Sequence, residues 1–99
     1  MKFEWDPKKA TANLKKHGVS FDEAISVFSD PLAYIFDDES HSQSEPREII
    51  IGHSILNRLV LVCFTEHTEE VARLFSARLA TKKEYRDYEE NAGFSSSQD

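Results

Sequence analysis

Residues 47–79 read REIIIGHSILNRLVLVCFTEHTEEVARLFSARL and contain three apolar stretches separated by polar residues. The apolar residues alternate with polar ones or form a continuous run, a pattern typical of strands rather than of helices. The pattern predicts strands at Arg47–Ser54, Arg58–Thr65 and Val71–Leu79. We place a short turn near Leu56-Asn57, because asparagine tolerates the positive φ that such a turn can need. These residues therefore predict an antiparallel meander.

The middle strand of this meander is apolar on both faces over the six residues Leu59–Phe64. Such a strand belongs in the centre of a sheet, where both faces are covered or one is shielded by a partner. The single cysteine, Cys63, falls within the run, cannot form an internal disulfide, and is expected to act as a small buried hydrophobe.

Two helices are predicted upstream of the meander. Asp6-Pro7 places a carboxylate at the N-cap and proline at the first helical position, and Gly18 suits a left-handed C-cap, so the first helix should run to about His17. The capping box Ser20–Glu23 begins a second helix, which Asp30-Pro31 ends.

With 99 residues, the chain has room for one domain, which we place at residues 1–91. The remaining predicted elements are strands at Lys2–Trp5 and Ala33–Asp37, a loop at 38–46, a helix from the capping box Thr81–Glu84 to about Glu90, and a disordered tail at 92–99. The element order predicts an α+β fold, with two N-terminal helices packed on a mostly antiparallel sheet of four to five strands and a short C-terminal helix.

The formal net charge is -6, which argues against unaided tight binding to nucleic acid. The acidity lies in the middle of the chain, because residues 31–70 hold two arginines and eight acids. The longest apolar run is far shorter than the about 20 residues needed to cross a bilayer, and the N-terminus has no stretch of signal-peptide length. We therefore expect a soluble, cytoplasmic protein without membrane contacts.

The first helix places Ala10, Asn13, Leu14 and His17 on one stripe, so its inward or cleft-facing side holds two polar groups. Near neutral pH, His17 can act as a base, contact a phosphate, or bind backbone carbonyls at the helix end, and the pattern leaves these roles open. The lysines of this helix lie mainly on its other faces and are expected to be solvated. They are Lys8, Lys9, Lys15 and Lys16.

The last strand, if regular, places Arg73 on one face and Ser76 and Arg78 on the other, among apolar neighbours. A guanidinium beside a core needs a carboxylate or a phosphate as its partner, and both alternatives stay open. Arg47 and Arg58 begin strands and are expected at exposed ends.

The loop residues Asp37, Asp38, Glu39, His41 and Glu45 bring acids and an imidazole together. Their spacing matches no recognised metal motif, and no second histidine or cysteine lies nearby, so we expect no metal and no cofactor. The chain also lacks a glycine-rich phosphate loop and a nucleophile elbow.

A longer ordered series of residues runs through about residues 3–90. It comprises Phe3-Glu4-Trp5-Asp6-Pro7, Lys9-Ala10, Asn13, Lys16-His17-Gly18-Val19-Ser20-Phe21, Glu23-Ala24, Val27-Phe28, Asp30-Pro31, Asp38, His41-Ser42, Glu45, Arg47, Ile51-Gly52, Ser54, Arg58, Thr65, Arg73, Ser76-Ala77-Arg78, Ala80, Glu84 and Tyr88. In this series the chain resembles the BrnT family, the toxin half of a bacterial type II toxin–antitoxin pair within the wider RelE-like ribonuclease group.

The resemblance implies the same α+β fold and a ribonuclease activity that halts translation and arrests growth. It implies a metal-independent reaction in which the 2′-hydroxyl of RNA attacks the adjacent phosphorus and leaves a cyclic phosphate and a 5′-hydroxyl. The implied partners are RNA and a cognate antitoxin, a small DNA-binding protein of the ribbon-helix-helix type, similar to BrnA. Operator DNA would be reached only through that antitoxin.

Such a reaction needs a group that takes the 2′-proton, cations for the charge on the phosphoryl oxygens, and a group that protonates the leaving oxygen. The motif positions assign the catalytic roles to Arg78 and Arg73 as phosphate and transition-state clamps and to His17 as general acid or base. The substrate-binding candidates are Arg47, Arg58 and Ser76. Glu84 and Tyr88 are expected to serve the helix cap and packing.

Two other functions compete with this interpretation. One is a non-catalytic partner or corepressor in an antitoxin–operator complex, and the other is a metal-dependent hydrolase that uses the acidic loop, which cleavage in EDTA would exclude. The segment Thr65–Glu70 is acidic where the family usually has a basic segment, and this predicts weakened RNA binding beside Arg73.

Overall fold

The computed structural model describes residues 1–39 and 45–91. Its elements in chain order are β1 (Lys2–Glu4), α1 (Pro7–His17), α2 (Phe21–Ser26), a 3-10 turn (Val27–Ser29), β2 (Tyr34–Asp37), β3 (Glu48–His53), β4 (Leu59–Thr68), β5 (Val71–Leu79) and α3 (Lys82–Asn91). These elements confirm the predicted α+β fold. The predicted tail at 92–99 and His41 of the acidic loop lie outside the described residues. No helix within the described ranges is long and apolar enough to span a membrane.

The local signals that bound α1 and that begin α2 are confirmed, whereas α2 ends at Ser26 and continues to Ser29 only as a 3-10 turn. Asp6 caps α1 through its side chain, and Gly18 ends α1 with a φ of 71°. The Ser20 hydroxyl accepts a hydrogen bond from the backbone N–H of Glu23. The turn between β3 and β4 contains Asn57 with a φ of 60°, which confirms the turn and the positive φ expected there from the sequence.

The described strands form one sheet in the order β1-β5-β4-β3-β2. β1 runs parallel to β5, and the other neighbours are antiparallel. Alternate residues of β4 fill two cores, one on each face of the sheet. Val60, Val62 and Phe64 pack beneath α2 and the 3-10 turn, whereas Leu59 and Leu61 pack against α3. The prediction that this strand is covered on both faces is therefore confirmed.

β1 is so short that most of the outer edge of β5 has no neighbouring strand among the described residues. α1 lies along this edge, where the amide of Asn13 both donates to and accepts from the backbone of Ala77, at 2.8 and 3.0 Å. A second bond from the same amide nitrogen, 2.9 Å to the carbonyl of Val19, secures the chain that leaves the helix. α1 is therefore an edge helix, whereas α2 covers the face of the sheet.

β5 contains a β-bulge at Phe75. The partner of Cys63 is Ser76, and the partner of Phe64 is Leu74, so Phe75 is an additional residue on β5. An extra residue shifts the alternation of side chains along a strand by one position.

The bulge corrects the prediction that Arg73 faces away from Ser76 and Arg78. The three residues pair with Thr65, Cys63 and Leu61, which are spaced two apart on β4 and share one face. All three therefore lie on the α3 side of the sheet. The prediction assumed a regular strand, and a bulge leaves no mark in the alternation of residue types.

Candidate functional site

A pocket of about 580 Å³ opens between α1 and the face of the sheet that carries α3. Its floor is formed by β3, β4 and β5, and one wall by α1. Its polar and charged lining residues are Lys9, Asn13, Lys16, His17, Asp38, Arg47, Cys63, Ser76 and Arg78. Five of these nine side chains are basic or imidazole groups, so this concavity of an acidic chain is cationic.

The structure brings together four of the six residues named from the sequence. His17, Arg47, Ser76 and Arg78 line the pocket, whereas Arg58 and Arg73 do not. Lys9 and Lys16, which we expected to be solvated, also line it. Their spacing from Asn13 and His17 along α1, at i, i+4, i+7 and i+8, is the sequence signal that they share one helical face.

Arg78 is held in the pocket by a bidentate ion pair with Glu84 at the start of α3. Its Nη1 and Nη2 donate to the two carboxylate oxygens at 2.8 and 2.7 Å, and Nη1 also donates to the carbonyl of Leu79 at 3.2 Å. Glu84 is fixed in turn by a reciprocal capping box with Thr81. The hydrogen bonds from Arg78 are the main cause that lowers the pKa of Glu84 to about 2.

These bonds use three of the five N–H groups of the Arg78 guanidinium. The other two, on Nε and Nη2, lie along one side of the planar group, and no acceptor for them is found within residues 1–39 and 45–91. A pair of parallel donors of this kind matches two oxygens of a phosphate. Glu84 therefore orients Arg78 and leaves the edge formed by Nε and Nη2 unused.

His17 is the last residue of α1 and the only imidazole among the residues that line the pocket. Its side chain is half-buried, and it has no hydrogen bond or ion pair with any residue that the structure describes. Its two ring nitrogens can each serve as a hydrogen-bond donor or acceptor.

The guanidinium of Arg47 lies over the aromatic ring of the bulged residue, Phe75. The guanidinium carbon is 3.8 Å from the ring centroid, and the Lys9 ammonium is 5.3 Å from the same centroid. Cation–π contacts of this length help to hold a guanidinium in place over the ring. Phe75 was not predicted as a site residue, since the bulge that turns it toward the pocket is invisible in the sequence.

Asp38 contributes the single carboxylate found among the lining residues, and only 7% of its surface is exposed. The thiol of Cys63 donates to its Oδ2 at 3.4 Å. Burial and this bond raise the pKa of Cys63 to about 11, so the thiol stays protonated near neutral pH. Cys63 therefore serves as a hydrogen-bond donor to Asp38.

Arg73 lies on the same face of the sheet as the pocket but outside it, near the start of β5. Its Nη1 is 3.1 Å from a carboxylate oxygen of Glu4, and the imidazole of His67 is 3.1 Å from that same oxygen. All three side chains are more than one-third exposed. Arg73 thus belongs to a small solvated cluster beside the pocket.

Arg58 lies away from the pocket, in a cluster that joins α2 to the β3–β4 turn. Its guanidinium donates twice to Glu23 and once to the carbonyl of Gly18, and Ser54 donates to the same carboxylate at 2.6 Å. The bonds from Arg58 are the main cause that lowers the pKa of the buried Glu23 carboxyl. Every one of these contacts ties separate elements of the fold together.

The acidic loop forms no metal-binding cluster in the part of the chain that the structure describes, where no three His, Cys, Asp or Glu side chains are placed to hold an ion. His41 lies outside those residues.

Comparison with known proteins places these observations among relatives. Residues 5–84 match the family model described as "Ribonuclease toxin, BrnT, of type II toxin-antitoxin system". A solved structure, the crystal structure of the Brucella abortus ribonuclease toxin BrnT, matches with a TM-score of 0.64 and 26% sequence identity. The match covers 83% of this chain and 99% of the Brucella chain. No curated protein sequence matches the chain.

Proposed function

Because the chain belongs to the BrnT family of ribonuclease toxins of type II toxin–antitoxin systems, we propose that it is an endoribonuclease whose active site is the pocket between α1 and the sheet. One observation carries the proposal. An imidazole and two lysines of α1, a carboxylate and an arginine at the two ends of the β2–β3 loop, and an arginine of β5 converge in an open concavity of an otherwise acidic protein.

The proposed reaction is an internal transfer that uses only groups of the RNA and of the pocket. The 2′-oxygen loses its proton and attacks the adjacent phosphorus, the bond to the 5′-oxygen breaks, and that oxygen gains a proton. The products are a 2′,3′-cyclic phosphate and a 5′-hydroxyl. DNA is not cut because it lacks the attacking hydroxyl.

His17 and Asp38 are the proposed proton-transfer pair. One must accept the 2′-proton and the other must protonate the leaving oxygen, and each role can contribute a factor of about 10² to 10⁴ to the rate. The imidazole is half-buried at the pocket wall, and the carboxylate is held in place by the thiol of Cys63. The raised pKa of Cys63 removes the thiol as a competing base.

The cations have separate proposed roles. Arg78 binds the scissile phosphate through its Nε and Nη2 edge, where the charge on the phosphoryl oxygens grows in the transition state. Arg47, Lys9 and Lys16 bind the neighbouring backbone, with the Ser76 hydroxyl as a further contact. Arg73 binds a flanking phosphate outside the pocket and takes no part in the chemistry. Arg58 is not part of the proposed site.

We further propose that cleavage requires no metal, halts translation, and is neutralised by a cognate antitoxin. The antitoxin would be a small DNA-binding protein of the ribbon-helix-helix type, and operator DNA would be bound through it alone. The acidic stretch of residues 31–70 supports this partnership, because it complements a basic partner electrostatically.

The test is cleavage of a labelled single-stranded RNA by the purified chain in the presence of EDTA. We expect a cyclic phosphate on the product, no cleavage where the attacking 2′-hydroxyl is replaced by hydrogen, and a loss of about 10²-fold or more in His17→Ala and Arg78→Ala. Arg86→Ala, which removes an exposed arginine of α3, is the matched control and should leave the rate unchanged.

Induction of the same variants in a bacterium links the chemistry to growth arrest. A wild-type chain that leaves RNA intact in both assays refutes the nuclease proposal. If such a chain still binds the protein encoded beside it, the corepressor function takes its place.

A further inference from the structure

The second outer edge of the sheet, along β2, is open as far as the described residues show. β2 pairs with β3 on one side, and no strand within residues 1–39 and 45–91 pairs with it on the other. Exposed edge strands present unpaired N–H and C=O groups that can bind another chain, and native proteins usually cover or interrupt them.

The hydrogen-bond pattern identifies the backbone groups that face outward. The N–H of Asp38 donates to the carbonyl of Arg47, which makes this a hydrogen-bonded pair of the β2–β3 ladder. Because such pairs alternate along an antiparallel ladder, Tyr34 and Phe36 bond to β3 as well. The N–H and C=O groups of Ile35 and Asp37 therefore point toward the open edge.

The side chains at this edge are apolar on both faces of the sheet. Ile35 is 50% exposed and Phe36 is 42% exposed, and they project to opposite faces because they are consecutive in a strand. Leu32, just before β2, is 46% exposed. A strand added here would therefore gain apolar contacts above and below the sheet as well as main-chain hydrogen bonds.

The end of this edge is acidic. Asp37 lies directly opposite Glu48, and like charges at opposed positions destabilise a sheet. Burial is the largest cause that raises the pKa of Glu48, and the negative charges of Glu66 and Asp37 raise it further. Cations supplied by a partner would relieve this repulsion.

We propose that the β2 edge binds an extended segment of the antitoxin, rich in lysine or arginine, as a sixth strand of the sheet. This inference rests on the proposed antitoxin partnership and not on the proposed chemistry. A second copy of this chain is a poorer occupant, because each copy carries a net charge of -6. Asp38 follows β2 directly and lines the pocket, so the bound segment would end beside the proposed active site.

Ile35→Pro is the variant that tests the edge most directly. It removes an N–H that β3 does not use, and proline is tolerated at such a position of an edge strand. The protein encoded in the neighbouring reading frame is the probe. We expect its affinity to fall about tenfold or more, while the matched control Ile35→Val binds as wild type does.

Asp37→Lys separates binding from folding. The substitution removes the repulsion with Glu48, so it should raise the midpoint of urea unfolding while weakening the basic partner about three- to tenfold. Hydrogen exchange supplies a measurement that needs no variant. The amides of Ile35 and Asp37 should become protected only in the complex, whereas those of Tyr34 and Phe36 are protected in the free chain as well.

Three results would overturn the proposal. The first is that the neighbouring protein does not bind. The second is that it binds Ile35→Pro and Asp37→Lys as tightly as wild type, with no new protection from hydrogen exchange at Ile35 and Asp37. The third is that the free chain forms a dimer that Ile35→Pro abolishes. RNA cleavage by the free chain is measured in parallel. If the chain cleaves no RNA but binds its partner at this edge, only the nuclease proposal is refuted, and the proposal for the β2 edge stands.

Discussion

Replacing Asn13 by alanine is expected to destabilise the protein by about 2–3 kcal/mol. The side chain is 6% exposed, and it makes three hydrogen bonds, to the carbonyl of Val19 and to both backbone groups of Ala77. Each bond contributes about 1 kcal/mol net, and alanine returns about 0.6 kcal/mol through its higher helix propensity. The substitution also leaves the buried backbone N–H and C=O of Ala77 without the partner that Asn13 supplies.

The assay is urea unfolding followed by circular dichroism. At an unchanged slope, the expected destabilisation lowers the midpoint by about 1 M or more. Asn91→Ala is the matched control, because that amide also donates to a carbonyl but lies on the exposed surface of α3. Its effect should stay within about 0.5 kcal/mol.

The same substitution bears on the proposed active site. Asn13 is the residue that fixes α1 against β5, and α1 carries His17, Lys9 and Lys16. We therefore expect RNA cleavage to fall at urea concentrations where the variant is still folded. A midpoint shift no larger than that of Asn91→Ala would refute the claim that this amide replaces a missing strand at the edge of β5.

Two further predictions concern packing and pH. Gly52→Ala should destabilise the fold by about 1–3 kcal/mol, as measured by thermal unfolding. The added Cβ would lie 2.7 Å from the Cβ of Ala33 and 3.2 Å from a methyl group of Val27. An unchanged stability would show that β2 can shift to make room. Glu84→Gln should remove stability that is present above the ordinary carboxyl pKa of 4.5 and is lost as the pH falls toward about 2. The difference from wild type should be at most about 2 kcal/mol near neutral pH, because the ion pair is partly solvated, and it should vanish in acid unfolding near pH 2; a constant difference across this range would contradict the role given to the pair.

The fold could be predicted from the sequence because its signals are local. The capping residues predicted the bounds of α1, and the alternation of residue types predicted those of β5. Both sets of bounds agree with the structure. β4 extends three residues past the predicted Thr65, through a polar stretch that pairs with the start of β5 across a second irregularity in register. Polar residues at a strand end resemble a turn, so the pattern could not show this extension.

The site could be predicted only in part, because the partners of charged groups are set by tertiary structure. Nothing near Arg58 in the sequence indicates that Glu23 will hold it, and nothing near Arg73 indicates Glu4. Arg78 and Glu84 are six residues apart and meet only because α3 folds back after β5. The basic face of α1 could have been predicted from the sequence, because helical spacing places Lys9, Lys16 and His17 on the same side of the helix.

The parallel pairing of β1 with β5 bears on when the protein becomes functional during its synthesis. Lys2 pairs with Val71, and the pocket takes one wall from α1 and its floor in part from Arg78. A nascent chain can form the β3–β4 hairpin early, but its first strand has no neighbour until β5 has left the ribosome. No pocket can therefore exist before β5 has been made, and a partner already present in the cell can meet the domain as it closes.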